Sequence, residues 1–287
     1  MTFHVDSSEV DEAYRSKPNY LIEYSNKSPC GIEKKQAVCA IYFSSHDIYY
    51  PNTSEAFKAR ILEENRYEWY KARFCMAEKH IFLRDIKKQW YLTGINREMD
   101  SVEKVIRFLK KEAEGYKVFT VGSSAGGFAA VLFGQFLSAE RSYSFNGQFC
   151  LIDFLRHSTE AANPVIFREQ NNPSINKYYS LREYIVCPKK IFYFYSRKNK
   201  RDVFQYEHIK DLGIATIAFN TAHHGIPFPK ANLSAVLSLS VERLWDITKR
   251  VHNPLIFSLR FVGVSATLKS VYLQAKKFGR KRNGANI

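Results

Sequence analysis

Short runs of apolar, β-branched and aromatic residues recur along this chain, with polar, helix-patterned stretches between them. They are Ala37–Phe43, His80–Leu83, Tyr116–Val121, Tyr143–Phe145, Ile191–Tyr195 and Ile214–Phe219. The runs are close to continuously apolar, the pattern of strands in a parallel sheet covered on both faces. Between the second and third, Asp100 and Glu103 stand at capping-box spacing, and Val102, Val105, Ile106 and Leu109 share one helical face. Gly115 follows, where a helix commonly ends in the left-handed conformation. Strands alternating with helices predict a doubly wound α/β domain, a mostly parallel sheet with helices on both faces and ligands at the carboxyl ends of its strands.

The alternation breaks at Phe154–Pro188, which carries the turn signals Asn163-Pro164 and Asn171-Asn172-Pro173. This stretch reads as an insertion over the sheet, a lid at about 154–188. The expected organisation is an N-terminal extension over 1–35, the α/β domain over 36–250 and a C-terminal tail over 251–287.

Composition narrows the class. With 287 residues, 45% apolar and 25% charged, the chain can bury a sizeable core, which excludes disorder throughout. The net charge of +15 calls for an acidic partner, but it is uneven: residues 247–287 hold nine Lys and Arg and no acid. That tail interleaves Leu255, Ile256, Leu259 and Val262 with basic residues and ends in Lys276, Lys277, Arg280, Lys281 and Arg282. It is expected either to dock on the core or to lie as an amphipathic basic segment on an anionic surface. The five cysteines form no C-x-x-C pair, the N-terminus shows no secretory pattern, and no run of 18 uncharged apolar residues occurs. The expectation is a cytoplasmic chain with reduced thiols.

The chemistry concentrates in Val118-Phe-Thr-Val-Gly122-Ser123-Ser124-Ala125-Gly126-Gly127, where an apolar strand meets G-x-S-x-G and then an alanine-rich stretch. A serine at a sharp strand-to-helix turn is lifted clear of the sheet, which makes Ser124 the candidate nucleophile. A serine hydroxyl needs a base to take its proton, and that base needs an acceptor on its far side. In this arrangement the acid follows one later strand and the histidine the next. Asp202 lies beyond Ile191–Tyr195, and His223-His224-Gly225 lies beyond Ile214–Phe219. His224 is preferred over His223 because a glycine follows it, and Asp153 is the rival acid to Asp202, which could instead cap its helix.

Stabilising an oxyanion takes the N–H of Ala125 and a second donor in the loop after the first strand, at Ser44 or Ser45, of which Ser45 is preferred. Arg84, Trp90 and His46 fall in loops at the same sheet edge and are candidate substrate contacts. No metal-ligand spacing, Walker loop or dinucleotide fingerprint appears.

With these residues placed, the segment from Gln36 to Arg250 resembles the serine-triad proteins of the α/β-hydrolase superfamily. Ile41-Tyr-Phe-Ser-Ser45 and His224-Gly-Ile-Pro-Phe228 are similar to proteins of bacterial capsule and surface-polysaccharide clusters, some of which are O-acetyltransferases. The resemblance implies a Ser124, His224, Asp202 triad that takes acetyl from acetyl-CoA and passes it to a glycan hydroxyl. The partners expected are a polysaccharide acceptor and, through the tail, the inner membrane surface; nucleic acid and metals are not expected. The alternatives are an esterase or deacetylase with the same triad and a non-catalytic scaffold of polysaccharide synthesis.

Overall fold

The structure, a computed structural model, describes residues 3–25, 37–264 and 267. The basic cluster from Lys276 onward lies outside the described residues, and with it the expectation of an amphipathic end to the tail.

Seven strands form one sheet: β1 (Tyr20–Tyr24), β2 (Val38–Phe43), β3 (Lys79–Leu83), β4 (Lys117–Ser123), β5 (Arg141–Phe145), β6 (Ile191–Ser196) and β7 (Ala215–Phe219). Their order is β1-β3-β2-β4-β5-β6-β7, parallel throughout except for the antiparallel β1 at the edge. This is the doubly wound, mostly parallel α/β sheet the sequence predicts. The chain moves from β2 outward to β3 and then returns to the other side of β2 as β4. The loops after β2 and β4 therefore diverge from one crevice, the switch point at which such sheets bind ligands.

The six expected runs are β2 to β7, with ends shifted by up to two residues. The strand β1 falls within the 1–35 segment and pairs Tyr20 to Leu83 and Tyr24 to Lys79. Five residues on a sheet edge, four half-buried and Tyr24 exposed, carry neither the continuous apolar run of a central strand nor a long alternation.

Helix α1 (Val102–Glu112) buries Val102, Val105, Ile106 and Leu109, as its period predicts. Its cap is Ser101, whose hydroxyl accepts from the Lys104 N–H, while Asp100 forms an ion pair with Lys104. Helices α1, α2 (Ala125–Phe136) and α3 (Lys200–Ile209) cover one face of the sheet. The opposite face is covered by α4 (Val241–Thr248), α5 (Pro254–Val262) and the Tyr67–Ala77 segment. No helix among the described residues is long and apolar enough to cross a membrane. Of the described cysteines, Cys39 and Cys150 are buried and Cys75 and Cys187 are exposed, all as free thiols.

Every residue of α2 from Ala125 to Gln135 is buried, so its small side chains are a packing requirement. A Cβ on Gly126 would stand 2.3 Å from the Phe43 carbonyl oxygen, and one on Gly122 would stand 2.0 Å from that of Gly126. The helix start is thus pressed against the ends of β2 and β4. The Thr120 hydroxyl donates to Ala130 O (2.7 Å) and that of Ser144 to Gly127 O (3.2 Å), satisfying buried hydroxyls and tying helix to sheet.

The Phe154–Pro188 stretch contains short helices at Pro164–Arg168 and Pro173–Asn176. It is anchored by Tyr178, Tyr179 and Leu181 in the core, by Phe154 against Trp90, and by an Arg168–Asp6 ion pair.

Because the obstacle at Gly126 is backbone, Gly126→Ala is expected to cost about 3 kcal/mol or more of stability. Gly213→Ala, at φ +77 with nothing within 4 Å, should cost about 1 kcal/mol from backbone strain alone. Denaturant unfolding of the two variants checks this, and equal costs would contradict the close approach.

Candidate active site

Ser124 stands between β4 and α2 at φ 54 and ψ −121, a left-handed conformation that costs a non-glycine residue on the order of 1–3 kcal/mol. It is held there by its N–H bond to Phe145 O (2.9 Å) and by Phe128 N–H bonding to its carbonyl (3.1 Å). The turn aims Oγ into the switch-point crevice, the geometry a nucleophile elbow requires.

His224 Nε2 lies 2.9 Å from Ser124 Oγ, and His224 Nδ1 lies 2.7 Å from Asp202 Oδ1. With Nδ1–H donating to the carboxylate, Nε2 is left to accept from the serine hydroxyl, the tautomer this network favours. The three residues sit after β4, near the start of α3 after β6, and after β7. Their sequence separation disappears in a parallel sheet because all these strands end at one edge.

Asp202 is 1% exposed, and its Oδ2 is buried with no hydrogen-bond partner among the described residues. Burial pushes its carboxyl above the usual range, opposed by the hydrogen bond and charge of His224. The cap of α3 is Asn199, whose side chain accepts from Arg201 N–H and Asp202 N–H, so the capping role considered for Asp202 belongs to its neighbour. Asp153 is 2.7 Å from His157 on its own helix and takes no part in this chain of bonds. His223 likewise stays outside it. Its imidazole lies toward Gly225, while its carbonyl accepts from Ser196 Oγ and Asn146 Nδ2.

Asn146, not anticipated from the sequence, clamps the histidine loop. From φ 45 after β5 it donates through Nδ2 to Gly225 O (2.7 Å), His223 O (3.2 Å) and Ser196 Oγ (2.9 Å), and through Oδ1 it accepts from Ser196 N–H (2.8 Å). The only sequence trace is the Asn-Gly pair after a strand, a general turn signal.

Other expected residues play different parts. Ala125 begins α2, where an N–H has no intrahelical acceptor. The Ser45 N–H, expected as the second oxyanion donor, is committed to Glu68 Oε2 at 2.7 Å, with the Ser45 hydroxyl donating to Oε1. The Ser44 N–H continues the sheet to Leu83 O. Arg84 is 1% exposed and donates to Asn19 Oδ1 and Arg66 O while stacking on Tyr67, so it is an internal strut and cannot meet substrate. Trp90 is buried, its indole N–H donating to Gln148 Oε1 (3.0 Å). His46 packs edge-on against Trp90, with burial holding its imidazole well below the ordinary histidine range and therefore neutral.

A cleft of about 960 Å³ opens beside Ser123 and His224, with Arg66, Tyr67, Glu68, His223 and Lys230 in its walls. Asp47, Glu64 and Glu68 line it beside Arg66, Lys71 and Lys230, so its charges alternate in sign, and the rings of Tyr67, Trp69 and Tyr70 suit a glycosidic ligand. Among the described residues no group of His, Cys, Asp and Glu is arranged to hold a metal ion.

No protein-family model matches this chain, and no curated protein matches it significantly. Among solved structures, the chain is similar to the capsule O-acetyltransferase of Neisseria meningitidis serogroup A, at 14% identity and a TM-score of 0.48, covering 81% of this chain and 92% of that one. It is also similar to the esterase Est22, at 11% identity and a TM-score of 0.38, over 83% and 82% of the two chains. The S-formylglutathione hydrolase FrmB from Staphylococcus aureus follows at 11% identity and a TM-score of 0.39, over 69% and 82%. At such identities a likeness speaks of architecture alone, and what the site does rests on its own geometry.

Asp202→Asn separates activity from stability. Without a carboxylate acceptor the imidazole loses its orienting partner, and turnover should fall on the order of 10³- to 10⁴-fold. The folded-state pKa of Asp202 lies above the unfolded one, so its ionisation opposes folding as pH rises through that interval. The variant should therefore melt at or above the parent temperature at pH 7, with the advantage shrinking toward pH 4. Melting curves at both pH values check the sign.

Proposed function

We propose that the protein is a serine-dependent O-acyltransferase that carries an acyl group, acetyl in the simplest case, on Ser124 and delivers it to a hydroxyl of a bacterial capsular or surface polysaccharide. The observation that carries this reading is the continuous chain Ser124 Oγ, His224 Nε2, His224 Nδ1, Asp202 Oδ1 at the switch point of the sheet.

In this reading His224 takes the Ser124 proton as Oγ attacks the acyl carbonyl, and Asp202 steadies the imidazolium. The Ala125 N–H meets the developing oxyanion, and His224 returns the proton to the leaving group. His224 then takes a proton from the acceptor hydroxyl, whose oxygen attacks the acyl-serine and restores free Ser124. Acetyl-CoA is the donor in this reading, with Arg66, Lys71 and Lys230, which stand among Asp47, Glu64 and Glu68 in the cleft lining, as the residues to meet its phosphates. The glycan class is supported by the sequence resemblance and by the aromatic side chains Tyr67, Trp69 and Tyr70 in the cleft lining. Hydrolysis is the second reading, favoured by one observation: the His224 side chain is 39% exposed, so water can reach the base.

Intact-mass spectrometry after brief exposure to acetyl-CoA tests the proposal. The parent should gain about 42 Da, the mass of one acetyl group on an acyl-enzyme. The adduct should be absent in Ser124→Ala and discharged by capsule-type oligosaccharide. Discharge by water alone, at a rate the glycan does not change, would establish an esterase. Turnover of p-nitrophenyl acetate undiminished in Ser124→Ala would overturn both readings.

A further inference from the structure

Oxyanion chemistry at Ser124 needs two donors, and the loop that usually supplies the second has its candidate N–H groups engaged. The N–H of Ser44 completes the sheet and that of Ser45 bonds Glu68. The peptide carbonyls of this loop are tied as well, Phe43 O to Trp69 Nε1 (3.1 Å) and Ser44 O to the Tyr91 hydroxyl (2.9 Å), so the loop is braced on every side.

A different donor faces the serine. Gln148, in the loop after β5, points its amide nitrogen at Ser124 Oγ across 3.3 Å. The orientation is not ambiguous: the Trp90 indole can only donate, so the atom it meets at 3.0 Å must be Oε1, and Nε2 must face the serine. The backbone that follows Gln148 is fixed too. Gln205 Oε1 accepts from Phe149 N–H (2.6 Å) and Cys150 N–H (2.8 Å), and Gln205 Nε2 donates to Cys150 O (3.0 Å). Gln148 itself is 7% exposed. A buried amide clamped at its carbonyl end, with its N–H pair aimed at the nucleophile, is a preorganised dipole.

We propose that the side-chain amide of Gln148 is the second oxyanion donor of this site, acting beside the N–H of Ala125 in place of a backbone N–H from the loop after β2. The assignment rests on the acyl-enzyme reading above. At 3.3 Å the amide is slightly too far to bond the resting hydroxyl well, and its full strength is reserved for an oxygen carrying negative charge. As Oγ bonds the acyl carbon and His224 Nε2 receives the serine proton, the carbonyl π pair moves onto its oxygen. That oxygen accepts from Ala125 N–H and Gln148 Nε2–H. When the carbonyl re-forms, the leaving group departs with its electron pair and takes the proton from His224. Trp90 is then a positioning residue, acting through Gln148 and never touching substrate.

The test uses the full chain with p-nitrophenyl acetate as substrate and n-butylboronic acid as a reversible tetrahedral adduct on Ser124. In Gln148→Ala and in the isosteric Gln148→Glu, kcat should fall on the order of 10²- to 10³-fold with KM shifting less than about threefold. The boronate inhibition constant should rise alongside, a change that a merely structural role would not produce in a protein melting at the parent temperature. Trp90→Phe, which keeps the ring and removes the N–H, should fall between parent and Gln148→Ala. Should Gln148→Ala fail to fold, Gln148→Glu carries the test. A folded Gln148 variant with kcat within about threefold of parent and unchanged boronate binding overturns the assignment and returns the role to a backbone donor. That result is distinct from failure of the acyl-enzyme reading, in which Ser124→Ala would itself remain active.

Discussion

The close approach of one helix start to two strand ends governs this molecule. Helix α2 enters so near β2 and β4 that Gly122 and Gly126 have no room for a Cβ, each facing a backbone carbonyl oxygen at 2.0–2.3 Å. The chain can make that approach only by turning through Ser124 in a left-handed conformation, and the turn lifts Oγ clear of the sheet. Packing and chemistry are therefore one constraint. The buried, alanine-rich helix that provides much of the central core also fixes the position of the Ser124 hydroxyl.

The order of strands does the rest. Winding out from β2 to β3 and back to β4 brings the loops after β2, β3, β4 and β5 around one crevice, while the segments after β6 and β7 add Asp202 and His224 from one side. A strained turn of this kind persists only where the surrounding structure over-determines it. Here Phe145 O holds the Ser124 N–H, and Asn146, the next residue, holds the histidine loop and the end of β6. Two adjacent residues, Phe145 and Asn146, thus set Ser124 and the histidine loop relative to each other. The buried Asp202 carboxyl opposes folding, and, shielded from water, it presents a less screened charge to His224.

How much of this was legible in the sequence depended on the range of the interaction. Six of the seven strands were visible because burial on both faces leaves an unbroken apolar run, and Ser124 was visible because its glycine spacing is a local consequence of the helix approach. Asp202 and His224 could be singled out because strand-following loops in this fold share one edge. The edge strand β1 was not legible: half-exposed, it carries no unbroken run. Arg84 looked available for substrate because its loop opens at the right edge, yet Asn19 and Tyr67, far away in sequence, bury it. The Ser45 N–H was assigned by position in the fold, and the carboxylate that occupies it comes from Glu68, 23 residues away in a segment with no periodic signal. Side-chain amides such as Gln148, Gln205 and Asn146 leave no pattern, since their meaning lies entirely in partners brought by the fold.

Helix α3 ties these threads together. Asp202 and Gln205 stand three residues apart on it, on one face. Asp202 orients His224, while Gln205 grips the backbone after Gln148. One rigid element therefore sets both the proton-transfer arm and the loop that turns an amide toward the serine. From the opposite side of the switch point, Trp90 in the loop after β3 fixes the far end of that amide, itself packed between His46 and Phe154. In the proposed reaction the groups around Ser124 are thus held by the fold, and the adjoining cleft is left to meet the acceptor.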